Sequence, residues 1–227
     1  MWEGPSAKIL EKAAARKVAL FILFVGESDE SNEAAYIYGK DIIALATNKA
    51  TFIRVPYTSD REPGWDDGSM VPTSKILGSN PSRDYGIKTY PTMIVADCYG
   101  NECYRLTAKP DASSLEKKID AVADTMKRSN ERLQKGLESA KSAFETKDRG
   151  KTLRTLADNF KTGLVGLEAQ ESSVKLYHEI IDAGRKDLDE AVAAGGKDLV
   201  TRLKDLKKIF KDTELNKDID AALKNSK

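Results

Sequence analysis

The chain has 227 residues, with 37 lysines and arginines against 36 aspartates and glutamates, so its net charge is +1. This balance removes the usual electrostatic basis for nucleic-acid binding, which depends on an excess of positive charge. The single histidine and two cysteines argue against a zinc finger, a histidine-based triad or a multi-ligand metal site, each of which needs more such ligands. We therefore predict no metal, no cofactor and no nucleic-acid partner.

The longest apolar run, at 18–25, is far shorter than the roughly 20 residues that a membrane-spanning helix needs. The sequence thus predicts a soluble protein with no membrane span. The N-terminal residues, Met1-Trp-Glu-Gly-Pro, lack the basic start and apolar core of a secretory signal. The compartment stays open: export or the periplasm if an upstream signal was removed, and otherwise the cytoplasm.

The first half of the sequence alternates between strand-like and helical patterns. The apolar run is typical of a strand buried on both faces, and it is bounded by Gly26. Pro81 stands near the start of a short capped helix. In chain order the predicted elements are helix 7–17, strand 18–25, a helix that opens within 27–32 and runs to about 48, strand 51–55, helix 79–86, a hairpin of strands 92–97 and 103–107, and a helix near Leu115 capped by Ser113 or Ser114.

The second half differs in composition from the first. Residues 1–110 contain 12 of the 16 aromatic side chains, and no proline follows Pro110, so long helices are allowed there. We place the domain boundary between 110 and about 130 and divide the chain into domains 1–122 and 123–227. The predicted helices of the second domain span 115–146, with a break near 129–130, and then 151–160, 167–183, 186–194, 197–211 and 216–224.

A weak internal repeat occurs within this helical region. The pattern L-x-x-L-x-x-x-F-K starts at Leu153 and recurs 50 residues later at Leu203, each time before a turn and another helix. Such helical hairpins resemble tetratricopeptide-type units, although the period is longer than in that family. The simpler interpretation is two ordinary amphipathic helices. Either one predicts a helical bundle or a short helical-repeat domain with a surface able to dock a protein.

The stretch from Ser79 to Val95, which reads SNPSRDYGIKTYPTMIV, resembles the segment of thioredoxins that leads from the third helix to the cis-proline and the next strand. The order of predicted elements, α, β, α, β, α, β, β, α, also agrees with that family over roughly residues 6–122. The resemblance implies an α/β thioredoxin-like fold in which Pro91 is the cis-proline, Tyr90 precedes it and Thr92 follows it.

The main departure from thioredoxins lies after the first central strand, where that family has Cys-x-x-Cys at a helix N-terminus. Here the stretch is Gly26-Glu-Ser-Asp-Glu-Ser-Asn32, so Ser28 and Ser31 align with the two cysteines, or Asp29 and Asn32 do if the register shifts by one residue. A hydroxyl cannot form a disulfide, so either register predicts a redox-inactive pocket.

Two interpretations of this pocket stay open. The simpler one is a solvated helix cap on a scaffold kept for folding and packing. The other is peptide binding, because in thioredoxins the backbone beside the cis-proline pairs with an extended chain, a mode that does not need cysteine. The candidate peptide-binding residues are then Ser28, Asp29, Ser31, Tyr90, Pro91 and Thr92, and the acidic cap would favour basic or polar peptides.

The two cysteines of the chain, Cys98 and Cys103, fall within the predicted hairpin. If Gly100-Asn101 forms a two-residue loop, the cysteines face each other and a disulfide is conceivable. If Asp97 to Gly100 is the turn instead, Cys98 sits in the loop and the pairing is less natural. Free, partly buried thiols are the alternative to a bridge.

The segment between Tyr57 and Gly78 is longer than the connection that thioredoxins usually have here. Loops of this length are uncommon unless they bind something or carry local structure. Its carboxylates could bind calcium weakly, although their spacing is not that of an EF-hand and a solvated loop is the simpler interpretation. They are Asp60, Glu62, Asp66 and Asp67.

The sequence thus predicts a non-catalytic thioredoxin-like domain followed by a helical domain, acting as a protein-interaction or scaffolding module with a protein or peptide partner. The main alternative is a thiol-disulfide oxidoreductase or redox sensor that uses Cys98 and Cys103. Glutathione-dependent chemistry, with Ser28 as the hydroxyl, ranks last.

Overall fold

The computed structural model describes residues 2–26, 39–57 and 70–226, apart from the side chains of residues 47 and 48. The chain divides into two units, one within residues 1–66 and 73–129 and the other within 67–72 and 130–227. Each unit is described here by itself. In the described part of the chain, no helix combines the length and apolar character that crossing a membrane requires.

A four-stranded sheet forms the centre of the first unit. Its strands are β1 (Ala19–Phe24), β2 (Ala50–Val55), β3 (Thr92–Ala96) and β4 (Glu102–Leu106). They lie in the order β2-β1-β3-β4, with β2 parallel to β1 and the other two pairs antiparallel. All six residues of β1 are buried, which explains why its sequence is continuously apolar rather than alternating.

Helices cover both faces of this sheet. They are α1 (Ala7–Arg16), α2 (Lys40–Asn48), α3 (Pro81–Asp84) and α4 (Ala112–Asp120). Leu20, Ile22 and Phe24 pack on the face that contacts α1 and the end of α3. Phe21 and Leu23 pack on the other face, against α2 and α4. The order of these elements along the chain is the predicted one, α, β, α, β, α, β, β, α.

Two helix starts in this unit are set by side-chain caps. Asn80 caps α3 by accepting the N–H of Arg83 at 2.9 Å. Asp111, rather than the predicted Ser113 or Ser114, caps α4, because its carboxylate accepts the N–H of Ser114 at 2.8 Å. An aspartate at this position is as good a cap as serine, and its earlier place in the sequence starts the helix sooner.

The regular secondary structure in the described part of the second unit is all helical. Its helices are the larger part of α5 (Val122–Glu145), α6 (Arg149–Phe160), α7 (Glu168–Ala194), α8 (Leu199–Phe210) and α9 (Leu215–Asn225). Leu156, Tyr177 and Phe210 lie at the centre of one apolar cluster to which helices α5 to α9 all contribute. The predicted break near residues 129–130 is wrong: the helix is interrupted at Ala121 instead and then runs without a break to Glu145.

The predicted helix end at Gly184 is also wrong, because α7 continues through it to Ala194. A Cβ at this position would lie 2.4 Å from Cζ of Phe210 and 2.8 Å from Cδ2 of Leu215. Glycine is therefore present because the helices cross closely, not because the helix ends. The leucine and phenylalanine side chains of the repeated pattern are buried in both copies except Leu206, which is half-buried, and the lysines are exposed.

Candidate functional site

The described candidate peptide-binding residues lie where β3 begins. Because β1 and β2 run parallel and Phe24 pairs with Thr92, the last residues of β1 and β2 lie at the same end of the sheet as the first residue of β3. We call this end, where the strands terminate, the Tyr90 edge. Tyr90 and Pro91 stand at this edge, and the peptide bond between them is cis. Between the residues that the structure describes, no hydrogen bond uses the backbone N–H or C=O of Tyr90.

Tyr57, which the sequence interpretation did not assign to the site, lies beside Tyr90. The two rings meet edge to face, with centroids 5.6 Å apart at 83°. Tyr57 is 44% exposed, and Tyr90 is half-buried. The signal that could have identified Tyr57 is its position just after β2, since parallel strands end at the same edge of a sheet. The edge therefore offers two phenol rings beside the backbone of Tyr90, which no other described residue pairs with.

Thr92 is placed differently from its neighbours. It is 2% exposed, and its hydroxyl donates to the carbonyl of Thr89 at 2.6 Å. This hydrogen bond holds the backbone just before β3 and leaves the side chain of Thr92 facing the protein interior. Thr92 therefore shapes the edge rather than presenting a side chain to a ligand.

Other candidate positions lie outside the described residues. Among the peptide-binding candidates these are Ser28, Asp29 and Ser31. The carboxylates considered for calcium also lie there, namely Asp60, Glu62, Asp66 and Asp67. Over residues 2–26, 39–57 and 70–226, no group of three or more histidine, cysteine or carboxylate side chains is arranged to hold a metal ion.

The cysteines lie on a tight turn between β3 and β4. The N–H of Gly100 donates to the carbonyl of Asp97 at 3.1 Å, so Asp97 to Gly100 is the turn, the second of the two predicted alternatives. Ala96 pairs with Glu102 and Val95 with Tyr104, which leaves Cys103 as the extra residue of a β-bulge. With one cysteine in the turn and the other in the bulge, they are not paired across the hairpin, and both are free thiols.

Both thiols are poorly placed to ionise. Burial, with the charge of Asp97 as a second cause, raises the pKa of Cys98 from 9.0 to about 11. The same two causes, in the same order, raise the pKa of Cys103 to about 12. Reactive cysteines usually show the reverse shift, since a helix N-terminus or a nearby cation stabilises the thiolate.

Asp97 organises the turn from inside. It is 2% exposed, and its carboxylate accepts the N–H groups of Tyr99 and Asn101, each at 2.9 Å, and Nδ2 of Asn101 at 2.7 Å. Burial raises the pKa of this carboxyl, although these hydrogen bonds act in the opposite direction. Tyr85 donates to the carbonyl of Gly100 at 2.5 Å, which ties the turn to the end of α3.

The turn is also separated from the Tyr90 edge. Because β3 runs from Thr92 to Ala96, Cys98 follows the opposite end of the strand. A five-residue strand spans about 17 Å. A peptide paired with the backbone of Tyr90 would therefore lie away from both thiols.

Comparisons with known proteins add little to this geometry. No protein-family model matches the sequence, and no curated protein matches it. A solved structure titled DsbH oxidoreductase is similar to the chain with a TM-score of 0.39 and 15% identity, over 53% of this chain and 84% of that chain. A likeness this weak carries no inference about chemistry, so the functional inference rests on the residues themselves.

Proposed function

We propose that the protein is a non-catalytic member of the thioredoxin-like fold and acts as a protein-interaction or scaffolding module. The observation that supports this most is the backbone of Tyr90, which lies where β3 begins and has no hydrogen-bond partner among the described residues. An extended peptide binds there by main-chain hydrogen bonds, in the manner of a strand added beside existing structure.

The two tyrosine rings at this edge add contact area to the backbone pairing. Tyr57 and Tyr90 pack edge to face, so each ring limits the motion of the other before a peptide arrives. Tyrosine gives a large apolar surface and one polar group with little loss of side-chain entropy, which is why it recurs at binding surfaces. The preferred partner is an extended, basic or polar segment of another protein.

A peptide titration tests this proposal. The probe is an unfolded, lysine-containing peptide without cysteine, followed by NMR of the full chain labelled with ¹⁵N. We expect the amide signals of Tyr90 and Tyr57 to shift, and we expect Tyr57→Ala to weaken binding by about fivefold to tenfold. Val192→Ala, which truncates a side chain that is 50% exposed in the helical unit, is the control and should leave the affinity unchanged. Signals that stay in place at saturating peptide would exclude this site.

The alternative is a thiol-disulfide oxidoreductase that uses Cys98 and Cys103. The raised pKa of both thiols and their separation in the hairpin count against it, because exchange needs a thiolate and a partner sulfur within reach. In an insulin-reduction assay we expect no rate above the dithiothreitol background. A rate above background that disappears in Cys98→Ser would establish the alternative instead.

A further inference from the structure

The helical unit contains a groove between α6 and α8 that nothing described so far uses. Its volume is about 650 Å³. Apart from Thr213, whose hydroxyl donates to the carbonyl of Phe210 at 2.8 Å, the buried and half-buried side chains that line it are apolar: Leu153 and Ala157 from α6, Ile209 from α8, and Met70. The exposed side chains that line it are charged, so the groove has an apolar floor and a charged rim.

Basic groups outnumber acidic groups on the rim. The basic side chains are Arg154, Lys161, Lys208 and Lys211, and the acidic ones are Asp158 and Asp212. In the described part of the chain, the guanidinium of Arg154 has no carboxylate within ion-pair distance, and its Nε donates to the carbonyl of Gly150 at 3.2 Å. Among the described side chains of the rim, Arg154 is therefore the cation that has no ion pair.

The ion pairs on the rim are exposed. Lys161 lies 2.7 Å from Asp158, with both side chains more than 70% accessible, and Lys208 lies 2.9 Å from Asp205. Exposed pairs of this kind contribute little to stability and exchange readily. A partner carboxylate can therefore replace the internal one without disturbing the fold.

The positive rim belongs to a wider segregation of charge among the helices. The charged residues of α6 are Arg149, Lys151, Arg154 and Asp158, and those of α8 are Arg202, Lys204, Asp205, Lys207 and Lys208. In contrast, α7 carries seven acidic and three basic side chains. The two helices that form the groove thus each carry a clear excess of basic side chains, so the groove favours an acidic partner.

The spacing of the cations points to an extended ligand rather than a small one. Arg154 and Lys161 are seven residues apart in sequence, which is about 10 Å along a helix axis. Lys208 and Lys211 stand on the opposite wall. A helix with acidic residues at every third or fourth position and an apolar stripe matches both the rim and the floor. Nucleic acid fits less well, because the lining residues that the structure describes include two carboxylates and no aromatic side chain for base stacking.

We infer that the groove between α6 and α8 binds an acidic amphipathic helix of a protein partner. The inference deepens the proposed interaction role by naming a partner chemistry, and it uses the second unit. Its failure and the failure of peptide binding at Tyr90 are therefore measured separately.

The test measures the affinity of a labelled synthetic peptide for the full chain by fluorescence anisotropy. The peptide is helical, has about 16 residues, and carries leucines along one stripe and glutamates along its flanks. A second peptide has lysine in place of every glutamate. We expect the acidic peptide to bind at least about tenfold more tightly than the basic one, and its affinity to fall as salt is added.

A pair of double variants with the same change in net charge separates the groove from general electrostatics. Arg154→Glu with Lys208→Glu should weaken the acidic peptide by about tenfold. Lys175→Glu with Lys186→Glu changes exposed residues of α7 and should weaken it less than about twofold. Tyr57→Ala should leave this affinity unchanged.

Several results would overturn the inference. One is an equal loss of affinity for the acidic peptide in both double variants, and another is equal binding of the acidic and basic peptides. A third is tighter binding of a polyuridine oligonucleotide than of the acidic peptide. The last is self-association of the chain that Arg154→Glu with Lys208→Glu abolishes.

Discussion

Two nearly buried polar side chains, Asp97 of the sheet unit and Gln170 of the helical unit, differ in their hydrogen-bond partners. Asp97 in the sheet unit is 2% exposed and accepts hydrogen bonds from Tyr99 and Asn101. Gln170 in the helical unit is 1% exposed, and among the residues that the structure describes neither polar atom of its amide group has a hydrogen-bond partner. The first side chain holds a turn by hydrogen bonds, whereas the second leaves two buried polar atoms without such bonds. A buried polar group stabilises a fold only where it is hydrogen-bonded.

The largest expected effect concerns the close helix crossing at Gly184. Gly184→Ala places a methyl group 2.4 Å from the ring of Phe210, so we expect a loss of about 3 kcal/mol in the free energy of unfolding. Urea unfolding of the helical unit measures it. Gly150→Ala is the matched control, because a Cβ there meets nothing nearer than 3.8 Å, and it should be neutral or slightly stabilising. Equal destabilisation by both changes would show that the crossing is not close.

Replacing Asp97 by alanine should have the next largest effect. Asp97→Ala removes the carboxylate that accepts three hydrogen bonds from Tyr99 and Asn101, and we expect a loss of about 2–3 kcal/mol in the free energy of unfolding. The thermal or urea unfolding of the sheet unit gives this value. A loss below about 0.5 kcal/mol would mean that the turn does not depend on the carboxylate.

Replacing Gln170 should raise the free energy of unfolding rather than lower it. Gln170→Met keeps a similar shape and removes the unpaired amide, so we expect a gain of about 1 kcal/mol. Gln134→Met, whose glutamine donates to Glu138 at 3.0 Å on the surface, should change stability by less than about 0.5 kcal/mol. Destabilisation by Gln170→Met would show that the buried amide has a function in packing or hydration.

The smallest effect is a pH dependence. Because burial raises the pKa of Asp97, the folded state binds a proton more tightly than the unfolded state does. This contribution to stability is complete below the ordinary pKa of 3.8 and is lost as the pH rises through the folded-state pKa. The stability of the parent chain relative to Asp97→Asn should therefore be greater at pH 4 than at pH 7. A constant difference, or a larger one at pH 7, would contradict this sign.

The sequence predicts most of the sheet unit because its signals are local. The apolar run that becomes β1 and the caps and prolines of α3 act over a few residues. Packing between residues that are distant in the sequence could not be predicted. At Gly184, for example, glycine suggests the end of a helix, and only the position of Phe210 explains why α7 has a glycine there and continues. The site itself stays a prediction, and the structure shows only where its candidate residues lie. Tyr90 and Pro91 followed from a local motif, whereas Tyr57 joins them through strand order.

The alternatives left open at the hairpin were decided by interactions that spacing does not encode. Both loop alternatives were compatible with the positions of Cys98 and Cys103. Asp97 favours the four-residue turn by accepting two backbone N–H groups, and Tyr85 holds Gly100 from another element. A sequence pattern names the residues of such a network but not its geometry.

The central claim is that the protein binds an extended peptide without using its cysteines, and a variant that lacks both cysteines tests this most directly. The measurement is the affinity of the unfolded, lysine-containing peptide for Cys98→Ser with Cys103→Ser, compared with the parent chain under the same conditions. The account predicts equal affinities within about twofold, since the peptide contacts the backbone at Tyr90. A loss of about tenfold or more in the properly folded double variant would contradict it.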